Sequence, residues 1–134
     1  MTEARGVLLR PDEIEAHERG GGARTIPLVT SRCGSTSLLN GITEFAPDAA
    51  IAPHRHNCEE SVMVLEGEAI LELDGVQHRL GANDTTWVPP GVDHRFINAS
   101  STKKMRIFWT YASVEANRTL VATGETRSID SERR

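Results

Sequence analysis

The chain has 134 residues, 38% hydrophobic and 25% charged, which is enough for one buried core and too few to divide into two. A formal net charge of −4 excludes an extended nucleic-acid groove, because such a groove needs clustered Lys and Arg against the phosphates. Aromatics at 4% leave the core to Val, Ile and Leu, a composition that favours strands.

The two cysteines, Cys33 and Cys58, form neither a Cys-x-x-Cys pair nor a disulfide framework, and a reducing compartment is expected. The first residues are polar, and the apolar patch Val7-Leu8-Leu9 ends at Arg10-Pro11, so no secretory segment is read there. No apolar run approaches a membrane span. A soluble cytoplasmic protein is the expectation.

In chain order, residues 1–24 read as an arm peripheral to the core. Its patch Gly6-Val7-Leu8-Leu9-Arg10 is strand-like, and residues 12–19 are expected to form one or two helical turns before Gly20-Gly21-Gly22 breaks them. A single β-barrel domain is expected over 25–124. Strands are predicted at 25–30, 36–45, 54–56, 61–65, 69–73, 76–80, 85–88, 94–98 and 105–111, separated by Gly, Pro, Asn and Asp, the pattern of an all-β sandwich or barrel. Residues 125–134 read as a polar, frayed tail. Asp74-Gly75 predicts a type I′ hairpin that pairs Leu73 with Val76. Ala69, Leu71, Leu73, Val76, His78 and Leu80 then share one face, read as the core side. Pro90-Gly91 fits the two central positions of a type II turn just before His94.

The chemistry is concentrated in His54-x-His56-x-x-x-Glu60 and in Pro89-Pro90-Gly91-Val92-Asp93-His94. Imidazole nitrogens and a carboxylate suit a borderline first-row transition ion. His54 and His56, two apart on a strand, leave the same face and can grip one ion together. His94 must come from a separate strand, which a closed barrel can place across from the first two. A lone histidine fills many roles; the spaced set, with Gly67 beyond Glu60 and Asn98 beyond His94, is much harder to assemble by chance.

These elements resemble the two motifs of the cupin superfamily. The first usually reads Gly, five residues, His-x-His, three or four residues, Glu, six residues, Gly, and here runs Asp48, His54, His56, Glu60, Gly67. The second usually reads Gly, five residues, Pro-x-Gly, two residues, His, three residues, Asn, and here runs Asn83, Pro89, Gly91, His94, Asn98. The resemblance spans roughly 36–111. Both departures fall on leading glycines, and Asp and Asn are the other residues that best tolerate a left-handed backbone.

The resemblance implies an all-β jelly roll, a double-stranded β-helix, with one divalent transition ion (Fe, Mn, Ni, Cu, Co or Zn) held inside the barrel by His54, His56, Glu60 and His94. Spacing to His56 and Gly67 favours Glu60 over Glu59, which would face away or accept from outside the site. Asn98 would fix a turn. An octahedral ion would keep two positions for a bidentate oxygen ligand and serve as Lewis acid or oxygen activator; tetrahedral zinc on all four residues would be closed and structural.

No further acid, base or nucleophile stands out. His78 could reach the interior or be a partly buried histidine satisfied by backbone. Cys58 could meet the ion or be a small buried thiol. Glu44 could be a pocket carboxylate or a solvated strand residue. Trp87, Phe96, Phe108, Trp109 and Tyr111 would supply pocket walls and core.

The expected function is a mononuclear-metal enzyme on a small oxygenated metabolite, by oxygenase, isomerase, decarboxylase or lyase chemistry; the alternative is a non-catalytic binding or regulatory protein. The dimethylsulfoniopropionate lyase type is disfavoured, because that group carries Tyr where this chain has Val62. The expected partners are a small molecule and a second copy of the chain, with the arm adding to the other copy's sheet edge. Neither nucleic acid nor membrane is expected.

Overall fold

In the computed structural model, which describes residues 5–129, the strands assemble into two six-stranded sheets whose neighbours are all antiparallel. The strands are β1 His17–Gly20, β2 Ala23–Pro27, β3 Leu39–Phe45, β4 His54–His56, β5 Glu60–Glu66, β6 Ala69–Leu73, β7 Val76–Leu80, β8 Thr85–Val88, β9 His94–Asn98, β10 Met105–Tyr111, β11 Asn117–Leu120 and β12 Thr126–Ser128. One sheet has the order β1-β2-β3-β10-β5-β8 and the other β12-β11-β4-β9-β6-β7. Consecutive strands repeatedly cross from one sheet to the other, as in the jelly roll expected from sequence. No helix among the described residues is long and apolar enough to cross a membrane.

The core lies between the sheets. Alternation along β10 buries Met105, Ile107, Trp109 and Tyr111, while Arg106, Phe108 and Thr110 stay partly exposed. Leu39, Phe45, Val62, Val64, Leu71 and Phe96 meet them from both sheets. Trp109 requires its neighbour across the ladder to be glycine. A Cβ on Gly41 would come within 2.6 Å of the indole ring, so any side chain there would displace the largest residue of the core.

The two leading-glycine departures have the geometry their residue types allow. Asp48 (φ 63) and Asn83 (φ 76) both take left-handed backbone and, with Asp74 (φ 49), are the non-glycine residues with positive φ among those described. Gly75 (φ 82) completes the hairpin turn and Gly91 (φ 79) the turn before His94. Asn98 closes the far end of β9. Its amide donates to the carbonyls of Phe45, Ala46 and Lys103 at 3.3, 3.0 and 2.8 Å, and its oxygen accepts from the Ser100 amide at 2.9 Å.

Several local expectations are corrected. Residues 12–19 are not a helix of one or two turns: a single 3-10 turn, Pro11–Glu13, gives way to β1. Pro11 fixes φ at the start, but no apolar stripe follows to bury a longer helix. The patch Gly6-Val7-Leu8-Leu9-Arg10 lies outside the strands. Within residues 125–134, Thr126–Ser128 pairs with β11 and Ile129 is fully buried, so this stretch is ordered at least that far. The hairpin register is as expected, with Leu73 opposite Val76 and Leu71 opposite His78, yet Val76 and His78 are exposed. β7 is an edge strand, and its shared face runs out beyond the cover of the opposite sheet.

Candidate metal centre

His54 and His56 occupy alternate positions of β4 and point inward, while Arg55 points out and pairs with Asp93 at 2.8 Å. His94 opens β9 directly opposite His54 in the same sheet. The expectation that His94 crosses the barrel is therefore corrected: it is a lateral neighbour, and Glu60, at the head of β5 in the other sheet, is the residue that crosses. The imidazole centroids form a nearly equilateral triangle, with separations of 4.8, 4.5 and 5.0 Å. One potential ligand atom from each ring lies within 4.8 Å of the others. Glu60 Oε1 is 3.0 Å from His94 Nε2 and 3.5 Å from His56 Nε2. All four residues are at least 95% buried.

Hydrogen bonding fixes which nitrogen each ring presents. His54 Nδ1 bonds the Ala52 carbonyl at 2.8 Å, His56 Nδ1 the Asn117 carbonyl at 2.9 Å and His94 Nδ1 the Val92 carbonyl at 2.9 Å. A carbonyl can only accept, so each Nδ1 carries the proton and each neutral ring turns its Nε2 lone pair elsewhere. The Nε2 atoms of His56 and His94 turn toward Glu60. His56 Nε2 is buried with no hydrogen-bond partner, a costly state for a polar atom unless something binds there. His94 Nε2 and Glu60 Oε1 would be two acceptors in contact, so a proton or a cation must sit between them. Backbone-oriented imidazoles beside a carboxylate are a set of donors suited to a divalent transition ion, and the group fits.

The electrostatics agree. Burial pushes the His54 pKa well below its usual range, helped by the neighbouring His94 and His56, against the pull of the Ala52 carbonyl. Burial acts in the same direction on His94, but the Glu60 carboxylate bonded to it outweighs that and raises the imidazole. For Glu60, burial alone would raise the carboxyl, and its contacts with His56 and His94 hold it far below the ordinary range instead. His54 is thus kept neutral and Glu60 ionised, the states in which each can act as a ligand.

Around the centre, Tyr111 packs edge-on against His56 at 4.6 Å and Trp109 packs behind Tyr111 at 5.2 Å. Trp109 donates to Thr43 Oγ1 at 2.9 Å. Of the five aromatics expected to form walls and core, Phe96, Trp109 and Tyr111 are buried. Trp87 is 62% exposed, and its indole donates to Glu59 at 2.8 Å, which places both residues on the outer surface. Glu44 is bound by Arg24 at 2.6 Å and Arg106 at 3.0 Å on the outer face of β3, so it is neither a pocket carboxylate nor simply solvated. Cys58 is half-buried against the core, and burial raises its thiol pKa. His78 is exposed on the edge strand β7, which β6 separates from β9.

Sequence reasoning missed Arg118. It lies opposite His56 in the β4–β11 ladder, and residues directly opposite in a ladder share a face. Arg118 therefore points inward and is 8% exposed. Its charge acts on both His54 and His94. A cavity of about 710 Å³ opens beside His54 and Arg118, with walls from Ala50–Ala52, Leu120, the β1 turn and the Glu125–Arg127 segment. The β1 turn, within the arm expected to be peripheral, thus forms part of this wall. The only signal in the sequence was the alternation Arg118-Thr119-Leu120, too short and too polar to read as a strand.

Comparison with known proteins agrees with this architecture. Residues 41–111 match the family described as Cupin domain. The chain is 30% identical over 109 residues to protein SchB of Streptomyces halstedii, covering 81% of this chain and 79% of that one. It is 33% identical over 110 residues to polyketide synthase CurC of Streptomyces cyaneus, covering 81% and 71%. The solved structure of polyketide cyclase RemF from Streptomyces resistomycificus superposes with a TM-score of 0.75 at 20% identity, over 93% of this chain and 86% of that one. With two antiparallel sheets closing over three buried histidines able to hold a metal ion, the chain belongs to the cupin family.

Proposed function

We propose that the protein is a mononuclear-metal enzyme acting on a small, oxygen-rich carbonyl metabolite. The observation that carries this reading is the buried Nε2 of His56, which makes no hydrogen bond though it faces Glu60 at 3.5 Å, beside a His94–Glu60 contact that needs a cation or a proton to exist. His54, His56, Glu60 and His94 would hold the ion, which when bound would supply Lewis acidity or, if redox-active, oxygen activation. The four residues bring one negative charge, so a divalent ion would retain about one positive charge to attract a substrate oxygen. Tyr111 and Trp109 keep water from the buried side of the histidines, and the cavity beside His54 has the size of a small-molecule site. The relative named as a polyketide synthase, CurC, favours a polycarbonyl substrate whose neighbouring oxygens can chelate. Oxygenase, isomerase, decarboxylase and lyase outcomes all begin from such a bound carbonyl.

The test is metal content by plasma mass spectrometry on tag-free wild type and His54→Ala. About one ion per chain is expected in the wild type, with loss in the variant. A wild-type protein that neither contains nor takes up metal would sink the enzyme reading and leave a metal-free binding protein.

The same reading includes a cytoplasmic homodimer. Val7 and Leu8 are 58% and 72% exposed in a stretch that pairs with no strand among the described residues, a segment suited to another copy's sheet edge. Sedimentation should give twice the chain mass at micromolar concentration; a single-chain mass would overturn it.

A further inference from the structure

We propose that Arg55 and Asn57, interleaved with the candidate ligands His54 and His56, are positioning residues of the metal centre, each holding a backbone segment whose carbonyl aims one ligand ring. The inference rests on the metal reading above and deepens it by naming what fixes the ligand geometry. β4 is three residues long, and two of them are candidate ligands. Alternation turns Arg55 to the outer face, and Asn57, just past the strand end, is exposed.

The ladder that joins β4 to β9 is minimal. A single Cα pair, His54 with His94, spans it, whereas β9 pairs five residues with β6. Little ladder bonding therefore sets the separation of the two strands at the seam where their ligands meet. The turn before His94 is instead tied to β4 on both sides of Val92. The Gly91 amide donates to the His56 carbonyl at 2.9 Å, and Arg55 Nε donates to Asp93 Oδ1 at 2.8 Å. The Val92 carbonyl between these ties accepts from His94 Nδ1, so Arg55 acts on the aim of His94 across the seam.

Asn57 does the same for His56 on the other flank. Its Oδ1 accepts from the Asn117 amide at 2.8 Å, and its Nδ2 donates to the Glu115 carbonyl at 3.2 Å. These bonds pin the start of β11, where the Asn117 carbonyl accepts from His56 Nδ1 at 2.9 Å. His56 Nε2 makes no hydrogen bond, so hydrogen bonding orients this ring at Nδ1 alone. Groups that fix the tautomer and tilt of a ligand imidazole are worth about ten- to a hundredfold in metal affinity. His54 is the reference ring, because its acceptor, the Ala52 carbonyl, lies in the stretch leading into β4.

The experiment loads full-length wild type, Arg55→Gln and Asn57→Ala with cobalt and follows the hyperfine-shifted ring Nδ1–H resonances, with affinity measured by chelator competition. Arg55→Gln should move the His94 resonance and Asn57→Ala that of His56, each leaving the other two rings in place and weakening cobalt binding about tenfold. Arg55→Lys, which keeps a cationic donor for Asp93, should return the His94 resonance toward its wild-type position. A merely structural role would lower the urea midpoint and either leave the three resonances unmoved or disturb them alike; both results overturn the proposal. Should Arg55→Gln or Asn57→Ala fail to fold, the shape-preserving Asp93→Asn and Asn57→Asp weaken the same ties and are read in the same way. Wild type that takes up no cobalt would overturn the metal reading instead. Ring nitrogen-15 shifts in the metal-free protein then decide the positioning roles: Asn57→Ala should release His56 from its Nδ1–H tautomer, and unchanged shifts would overturn them.

Discussion

Acidification pulls His54 and His94 in opposite directions. An unfolded histidine titrates near 6.5, and burial holds folded His54 well below that. As pH falls through about 6.5 the unfolded chain takes up a proton that folded His54 refuses, so this residue costs stability on the acid side. His94, raised by Glu60, does the reverse: its contribution is fully present below about 6.5 and is lost as pH rises through the folded value. Glu60, held low, stabilises above the ordinary carboxylate range and loses its contribution as pH falls through its folded value. Replacing His54 by Gln should therefore remove an acid-side loss of up to about 2 kcal/mol between pH 6.5 and 5. Urea midpoints of chelator-treated wild type and His54→Gln across that range check it; parallel pH dependences would mean that folded His54 accepts a proton like an exposed histidine.

At the scale of elements, the end of β9 depends on one side chain. Asn98, itself buried, bonds three carbonyls and one amide, and so joins β9 to the end of β3 and to the 100–103 loop. Asn98→Ala would orphan several of them, each worth about 1–3 kcal/mol. A loss of roughly 2–4 kcal/mol in chemical denaturation is expected, and a loss below about 0.5 kcal/mol would mean that water replaces the amide without penalty. The role of Asn98 as a turn-fixing residue was legible in the sequence from its spacing to His94. So was the β6–β7 register, because Asp74-Gly75 supplies the two positive-φ positions the turn requires. Other strands were illegible for physical reasons. β1, with alternating half-exposed and exposed residues, lies at a sheet edge and has no apolar face to show. β11 turns Arg118 inward because it faces the polar centre, so its alternation is the inverse of the one that marks a core strand. The lateral placement of His94 was illegible as well, since sequence spacing does not say which strands become neighbours.

For the molecule as a whole, segments far apart in the chain meet at the candidate site. The turn at 17–21 and the segment 125–127 both line the cavity beside His54, although composition marks both as peripheral. The C-terminal segment is anchored by Ile129, fully buried and hydrogen-bonded through its amide to the Ala116 carbonyl at 2.9 Å. β12 itself is exposed along its length, so Ile129 is the principal apolar anchor that keeps Glu125 and Arg127 in place. Ile129→Ala should cost about 2–4 kcal/mol by loss of a fully buried side chain. It should lower the urea midpoint with little change in slope, because the residue acts on the native state rather than on the compactness of the unfolded chain. The same variant separates wall from metal: cobalt should still bind, because the four proposed ligands lie on β4, β5 and β9 while β12 is an edge strand paired with β11, and proteolysis near 125–127 should quicken as the wall loosens. Loss of cobalt binding in a destabilised Ile129→Ala protein would show instead that the C-terminal segment supports the metal centre as well as the cavity wall beside His54.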